Sequence, residues 1–125
     1  MPRLLLFDIQ TDNPPDMVRE VECNDIEDYY KYLNCRCFDI ANRKIGNKRY
    51  DIFVDDEGLL IDTPTISAVT PEGFPMLAGN LIFALHNAEG ETIGIEDEDI
   101  KNICQNIRYA TNSSGDDVWV LVCEY

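Results

Sequence analysis

Two runs of alternating apolar and polar residues flank the dipeptide Gly46-Asn47. The runs extend from Phe38 to Arg43 and from Arg49 to Val54, and they predict two antiparallel strands. A glycine–asparagine pair tolerates the positive φ angles of a two-residue hairpin loop, so it predicts a tight turn. Because apolar residues fall on both faces, we predict that this hairpin is central in its sheet. The turn also fixes which residues lie opposite each other: Ile45 and Lys48, Arg43 and Tyr50, Ala41 and Ile52, Ile40 and Phe53.

Six further runs of apolar residues belong to predicted strands. The run from Pro2 to Gln10 is apolar on both faces, which is typical of a strand inside a sheet. The run from Val118 to Tyr125 places Trp119, Leu121 and Cys123 on one face. Leu59 to Ile61 either extends the second hairpin strand or begins another one. The remaining runs are Met17 to Cys23, Ile66 to Val69 and Leu77 to Leu85.

Apolar residues spaced three and four positions apart predict two helices. The first begins at Asn24, which forms a capping-box pattern with Glu27. The second begins at Glu96 or Asp97. The stripe of the first helix, which is either core or a binding surface, comprises Ile26, Tyr29, Tyr30 and Leu33. The stripe of the second comprises Ile100, Ile103, Cys104 and Ile107. The sequence therefore predicts one α+β domain over residues 1–125, with a mixed or antiparallel sheet, a central hairpin and two short helices.

Charge is distributed unevenly along the chain. The 125 residues carry 24 acidic and 10 basic side chains, which gives a formal net charge of −14. Residues 50–125 hold fifteen of the acids and only two of the bases, Lys101 and Arg108, a net charge of −13. A field of this sign repels nucleic acids and membranes and favours basic partners. The alternative is that the acidic residues serve only solubility.

The predicted hairpin tip is basic, since Arg43, Lys44, Lys48 and Arg49 surround its turn. Arg43 is placed to stack on the ring of Tyr50. The tip is therefore either a solvated end of the hairpin or a contact for an anionic ligand. Residues 55–58 predict a second turn, which lacks the alternating oxygen ligands of a calcium loop.

The five cysteines favour buried free thiols over disulfides or a metal site. Their number is odd, no secretory signal precedes them, and Cys35 and Cys37 are the only close pair. Zinc sites usually combine two pairs at wider spacing, and the single histidine, His86, has no partner motif. No apolar run approaches the ~20 residues that cross a bilayer. We therefore expect a cytoplasmic protein without a metal, a cofactor or catalytic residues.

Three segments resemble the domain-of-unknown-function family 3846, which is frequent in Gram-positive bacteria, their phages and their conjugative elements. The segments are NRKIGNKRYDIFVDDEGLL, PMLAGN and EDEDIKNI, and the similarity covers about residues 28–108. The motif Ile45-Gly46-x-Lys48-x-Tyr50-Asp51-Ile52, followed by Asp56-Glu57-Gly58-Leu59, is fairly specific for the family. Asn47 stands where a second glycine is common. The family brings no established activity, so the resemblance implies only a setting among mobile genetic elements.

This setting and the acidic half together suggest a small non-catalytic inhibitor of a host defence protein. As an anti-CRISPR or anti-restriction protein, it would present carboxylates in place of DNA phosphates to a basic or nucleic-acid-binding host protein. The residues expected on this surface are Asp55, Asp56, Glu57, Glu96, Asp97, Glu98 and Asp99.

A second hypothesis is a small-molecule binding protein, for example a sponge for a nucleotide signal. Its anionic ligand would contact the hairpin tip through Lys44, Lys48, Arg49 and Tyr50. An uncharacterised enzyme is the third and least favoured hypothesis, because the chain has no glycine-rich phosphate loop and no nucleophile motif. Neither nucleic acid nor membrane is an expected partner.

Overall fold

Ten strands and two helices occur in the part of the chain that the structure describes. In the computed structural model this part comprises residues 3–9, 17–57, 65–111, 115 and 117–125. The predicted strand residues 59–61 and the last residue of the turn at 55–58 lie outside it. The helices are α1 (Ile26–Leu33) and α2 (Asp97–Gln105). The strands are β1 (Arg3–Phe7), β2 (Val18–Glu22), β3 (Phe38–Ile45), β4 (Lys48–Asp55), β5 (Ile66–Val69), β6 (Pro75–Ala78), β7 (Leu81–His86), β8 (Thr92–Ile93), β9 (Ile107–Thr111) and β10 (Asp117–Val122). The described chain is thus α+β and dominated by antiparallel sheet.

The first sheet has the strand order β2-β1-β7-β4-β3, and β8 also pairs with β7. All of these pairings are antiparallel. β1 lies inside the sheet, as its apolar residues on both faces predict, and β7 lies next to it, also inside the sheet. Leu4 and Leu6 of β1, for example, are fully buried on one face, and Leu5 is 1% exposed on the other.

β3 and β4 form the predicted hairpin in the predicted register, so that Arg43 lies opposite Tyr50 and Ile40 lies opposite Phe53. Gly46 has a φ of +62°, which is the conformation that a glycine at the first loop position of a type II′ turn supplies. The predicted central position is wrong, because β3 is the last strand of the order and only β4 pairs with β7. Ile40 is accordingly 50% exposed.

The second sheet has the order β6-β5-β10-β9. β10 pairs in parallel with β5 and antiparallel with β9. Just after β10, Glu124 pairs with Lys44 on the outer edge of β3 through two main-chain hydrogen bonds of 2.8 Å each. The residues that follow the second sheet therefore lie against the edge of the first.

Two apolar clusters cover the two faces of the first sheet. One lies between this sheet, the second sheet and α2, and includes Tyr50, Leu121 and Ile103. The other lies under α1 and includes Leu33 and Phe53. Because side chains alternate along a strand, the residues of β4 face these clusters in turn.

α1 begins one residue later than predicted. Its N-cap is Asp25 rather than Asn24, and the Asp25 side chain accepts a hydrogen bond from the main-chain N–H of Asp28 at 3.2 Å. The helix is rotated relative to the predicted stripe, since Ile26 is 53% exposed whereas Tyr32 packs against the cluster under α1. Leu33 lies in that cluster and Tyr29 packs against it, so these two residues of the stripe belong to the core.

α2 is capped by Glu96, one of the two predicted residues. It ends at Gln105, so Ile107 belongs to β9 and not to the helix stripe. Ile103 is fully buried, whereas Cys104 is exposed. Cys37 is exposed as well, so the prediction that the thiols are buried is wrong for these two cysteines. Neither helix of the described chain is long and apolar enough to cross a membrane.

The strands differ from the predicted ones in three places. The run from Leu77 to Leu85 is broken at Gly79, whose φ is +84°. The two halves become β6 and β7, which belong to different sheets. β8 and β9 were not predicted, because β8 has two residues and β9 follows α2 with no intervening loop.

Candidate functional site

The tip of the hairpin is fixed to α2 through Asn102. Nδ2 of Asn102 donates hydrogen bonds to the main-chain oxygen of Ile45 at 2.9 Å and to the hydroxyl of Tyr50 at 3.1 Å. A Cβ atom on Gly46 would lie 2.5 Å from Oδ1 of the same asparagine. The close approach of Asn102 and the positive φ therefore both favour glycine at this position.

Asp99, one helical turn before Asn102, is the second anchor of the tip. Its carboxylate accepts hydrogen bonds from Nζ of Lys48 at 2.8 Å, the hydroxyl of Tyr50 at 2.9 Å and the main-chain N–H of Glu96 at 2.9 Å. Burial disfavours the charged carboxylate, but these three hydrogen bonds outweigh burial and hold the pKa of Asp99 below its usual value. Asp99 is therefore a buried, ionised contact between hairpin and helix.

Tyr50 is the neutral partner in this contact and is only 1% exposed. Burial raises the pKa of Tyr50 to about 12; the hydrogen bond from Asn102 opposes this shift and the one to Asp99 adds to it. The hydroxyl thus remains a hydrogen-bond donor to Asp99 at neutral pH. Two segments that carry the family resemblance, residues 42–60 and 96–103, contact each other here.

These contacts differ from the predicted surroundings of four residues. Tyr50 is buried and therefore not exposed to a ligand, and Lys48 is paired with Asp99 while its side chain stays 47% exposed. Asp99 is 3% exposed and does not belong to an exposed acidic surface. The guanidinium of Arg43 lies over the ring of Tyr125, 4.8 Å from its centroid, instead of over Tyr50.

The remaining predicted acidic residues lie at opposite ends of β4. One group is exposed in the first turn of α2, beside the Lys48 end, and comprises Glu96, Asp97 and Glu98. The other group begins at the last residue of β4 and comprises Asp55, Asp56 and Glu57. Seven residue steps of extended strand, roughly 23 Å, separate the two ends. The sequence placed the two groups on one surface, and the structure does not bring them together.

An open groove lies on the α1 side of the hairpin, next to the area that α1 covers. It is lined by Asn42, Arg49, Asp51, Leu85 and His86. Directly opposite residues of an antiparallel pair share a face, so Asn42 lies beside Asp51, and Lys44 lies beside Arg49. β7, which pairs with β4, contributes His86.

Asp51 organises the side chains of this groove. Its carboxylate accepts a hydrogen bond from Nδ2 of Asn42 at 3.0 Å and lies 2.7 Å from Nδ1 of His86. The side chain of Asp51 is 14% exposed, whereas that of His86 is 53% exposed. Nε2 of His86 makes no hydrogen bond within the described residues. The imidazole is therefore oriented by one nitrogen and open to a ligand at the other.

Arg49 and Lys44 add positive charge at the tip end of the groove. The guanidinium of Arg49 donates to Oδ1 of Asn42 at 3.1 Å and to the main-chain oxygen of Tyr125 at 2.9 Å. A guanidinium has five N–H groups, so three remain for a ligand. The ammonium of Lys44 has no hydrogen-bond or ion-pair partner in the described part of the chain. The groove thus presents several unused donors beside one shielded carboxylate.

Sequence reasoning identified Lys44 and Arg49 as candidate ligand contacts and missed the other groove residues. The predicted register already placed Asn42 opposite Asp51 on the same face, which was a usable signal. His86 carried no such signal, because the pairing of β7 with β4 joins segments that are distant in sequence.

Comparison with known proteins identifies a family. Residues 7–108 match the family described as Domain of unknown function (DUF3846). The match confirms the resemblance found in the sequence and extends it to the end of β1. No curated protein and no solved structure matches the chain.

Proposed function

The chain belongs to the DUF3846 family, and we propose that it is a non-catalytic binding protein that holds a small anionic molecule in the groove beside the hairpin tip. The observation that supports this function is the pair formed by Lys44 and Arg49. These two cations lie directly opposite each other on one face of the hairpin. Like charges in this position destabilise a sheet unless an anion lies between them.

The charges next to the pair explain why an anion is the expected ligand. Asp51 is the carboxylate that lines the groove, and it already accepts hydrogen bonds from Asn42 and contacts His86. The carboxylate of Asp51 is therefore engaged by Asn42 and His86 and does not neutralise Lys44. The remaining donors of Lys44, Arg49 and His86 are satisfied by water or by a ligand with several acceptor oxygens.

An apolar contact for the rest of the ligand lies on the same face. Ile40 is two residues from Asn42 along β3 and is 50% exposed. Side chains two positions apart point to the same side of a strand. A ligand with an anionic end and a flat or apolar body, such as a nucleotide, can contact the cations and Ile40 together.

The net charge of −14 repels anions at long range but does not prevent binding at the groove. Charges more than about 8 Å apart are largely screened at physiological ionic strength. A bound anion therefore interacts mainly with Lys44 and Arg49. Within the proposal, the protein acts in the cytoplasm and sequesters a nucleotide signal, in keeping with the setting among mobile genetic elements.

Mass spectrometry of small molecules that co-purify with the protein tests this function. We expect a phosphorylated or otherwise anionic compound, released intact on denaturation because the proposed role is binding without catalysis. A double change of Lys44→Ala and Arg49→Ala should remove the compound. The matched control is Arg36→Ala with Lys101→Ala, which removes the same charge from two exposed positions elsewhere. A compound that survives the first change, or that is lost equally from both variants, contradicts the groove as the site.

A second candidate function rests on the exposed acidic turn of α2. Glu96, Asp97 and Glu98 are exposed in this turn. Asp97 pairs with Arg3, which also contacts Glu20 at 3.0 Å. One arginine thus lies among four carboxylates, and the surplus negative charge favours a basic or nucleic-acid-binding host protein. An anti-CRISPR or anti-restriction inhibitor would use this turn to imitate DNA phosphates.

Pull-down from a host lysate at about 50 and 500 mM salt tests the second candidate, since this range shortens the screening length roughly threefold. Charge reversal by Asp97→Lys and Glu98→Lys should abolish capture of the partner. Asp99 is left unchanged because it is buried. The control reverses Glu89 and Glu91, two exposed acids in the turn before β8. Capture that is indifferent to salt or to the α2 variant rejects the acidic turn as the docking surface.

A further inference from the structure

The hydrogen bond between His86 and Asp51 determines what the free nitrogen of the imidazole can do. Nδ1 of His86 lies 2.7 Å from the carboxylate of Asp51, which can only accept a hydrogen bond when ionised. The proton of a neutral imidazole is therefore on Nδ1, and Nε2 carries a lone pair. Such an Nε2 repels an anion, whereas the imidazolium form donates a hydrogen bond from Nε2 as well. An anion can thus bind Nε2 only if His86 gains a proton.

From this geometry we infer that the groove binds a phosphate ester and takes up one proton onto His86 as it does so. This inference rests on the proposed binding function and specifies its ligand and its pH dependence. The step is an acid–base equilibrium, in which solvent supplies the proton and no covalent bond of the ligand changes. Binding should therefore strengthen as the pH falls.

The charges around His86 favour uptake of a proton when an anionic ligand is bound. From β4, Asp51 favours the imidazolium and Arg49 opposes it. From β3, Asn42 is neutral, and from β8, Thr92 lies opposite His86 and is also neutral. A bound anion adds a second negative group next to the imidazole. It therefore shifts the balance toward the protonated form, in the same direction as Asp51.

The number and arrangement of donors indicate a phosphoryl group rather than a carboxylate. Three cationic side chains, Lys44, Arg49 and His86, come from three strands, β3, β4 and β7. A phosphoryl group has three strong acceptor oxygens that point in different directions, whereas a carboxylate has two in one plane. Because β3, β4 and β7 are neighbouring strands, we expect a tetrahedral anion to accept from all three donors. The exposed Ile40 on the same face then favours an ester over free phosphate.

Calorimetric titration with three probes tests the ligand class and the proton uptake. Sulfate keeps its charge between pH 6 and 8, so its affinity reports the protein's proton alone. Inorganic phosphate and adenosine 5′-monophosphate distinguish a free anion from an ester. We expect sulfate affinity to fall as the pH rises from 6 to 8, because binding requires the proton on His86. Adenosine 5′-monophosphate should bind more tightly than inorganic phosphate at the same pH.

Two variants separate a protonating role of His86 from a structural one. His86→Gln keeps a polar side chain that does not titrate, so residual sulfate binding should become independent of pH. Asp51→Asn lets a neutral imidazole accept at Nδ1 and donate from Nε2. Sulfate binding at pH 8 should therefore become stronger in Asp51→Asn, and its pH dependence should shrink. If Asp51 only holds the groove together, binding becomes weaker at every pH instead.

The possible outcomes distinguish this inference from the proposed function. If wild-type protein binds none of the three probes at pH 6, the groove is not an anion site and both proposals fail. If sulfate binds with an affinity that is equal at pH 6 and 8, the binding function stands and the proton uptake is rejected. If inorganic phosphate binds as tightly as adenosine 5′-monophosphate, the ester is rejected as the ligand. A fall in affinity above pH 7 that is lost in both variants supports the inference.

Discussion

The hydroxyl of Tyr50 donates a hydrogen bond of 2.9 Å to the carboxylate of Asp99, and this bond joins the basic hairpin to the acidic helix. Lys48 contributes a second bond to the same carboxylate at 2.8 Å. Residues that the sequence suggested for two separate binding roles thus stabilise each other.

We expect Gly46→Ala to lower the free energy of unfolding by about 2–4 kcal/mol, because it combines a left-handed φ with a steric clash. The clash is with Asn102, which must move and lose its bonds to Ile45 and Tyr50. Urea unfolding measures the loss. Gly73→Ala is the matched control: Gly73 has a φ of +92° and nothing within 4 Å of its Cβ position, so only the backbone strain should appear. Equal losses in the two variants would contradict the clash.

Tyr50→Phe should change how stability responds to alkaline pH. The pKa of Tyr50 is raised to about 12, so its contribution is fully present below the unfolded value of about 10 and is lost as the pH rises through 12. The difference in unfolding free energy between wild type and Tyr50→Phe should therefore shrink between about pH 10 and pH 12. Tyr30→Phe is the control, since the Tyr30 hydroxyl has no hydrogen bond in the described residues. A difference that stays constant with pH would show that the Tyr50 phenol does not titrate as proposed.

Asp99→Asn should change how the free energy of unfolding responds to acid. The pKa of Asp99 is lowered, so its contribution is present above the unfolded value of about 3.9 and is lost as the pH falls through the native value. We expect the variant to be about 1–3 kcal/mol less stable than wild type at pH 7, and the gap to narrow below about pH 4. Asp56→Asn at an exposed position should cost little at any pH. A gap that widens on acidification would reverse the assigned direction of the pKa.

Two neighbouring lysines of the tip should differ in what they do for stability. Lys48→Ala leaves the buried Asp99 without its cation and should cost about 1–3 kcal/mol of unfolding free energy. Lys44→Ala removes a cation that has no partner in the described chain, so stability should stay within about 0.5 kcal/mol of wild type. Thermal or urea unfolding compares the two. Equal losses would mean that Lys48 is a solvated charge like Lys44.

The hairpin shows how much local sequence can determine. Gly46 identified the turn, and the turn alone gave the pairing of β3 with β4 along its whole length. It also placed Asn42 beside Asp51 in what became the groove. The sequence did not reveal that the hairpin lies at one end of the sheet. Apolar residues on both faces of β3 are also compatible with an edge strand whose faces are half covered.

The features that the sequence did not predict depend on contacts between segments that are distant along the chain. Asp99 looked like one more exposed acid in a run of four, and only its position opposite Lys48 and Tyr50 buries it. His86 looked isolated because Asp51 is 35 positions away in sequence. Helix periodicity could not show that Ile107 starts a strand, since the partner of β9 is β10. In each case the deciding neighbour lies on another element.

The bridge between Lys44 and Glu124 also affects how molecules of this protein meet each other. An outer strand with unpaired N–H and C=O groups is a template for the strands of a second molecule, which is a common route to aggregation. At Lys44 both groups of β3 are already bonded within the chain. This occupies the edge at the hairpin tip, and the unneutralised lysine side chain beside it further disfavours stacking of two such edges. The bridge therefore protects one end of β3 from self-association while leaving the groove on its face accessible.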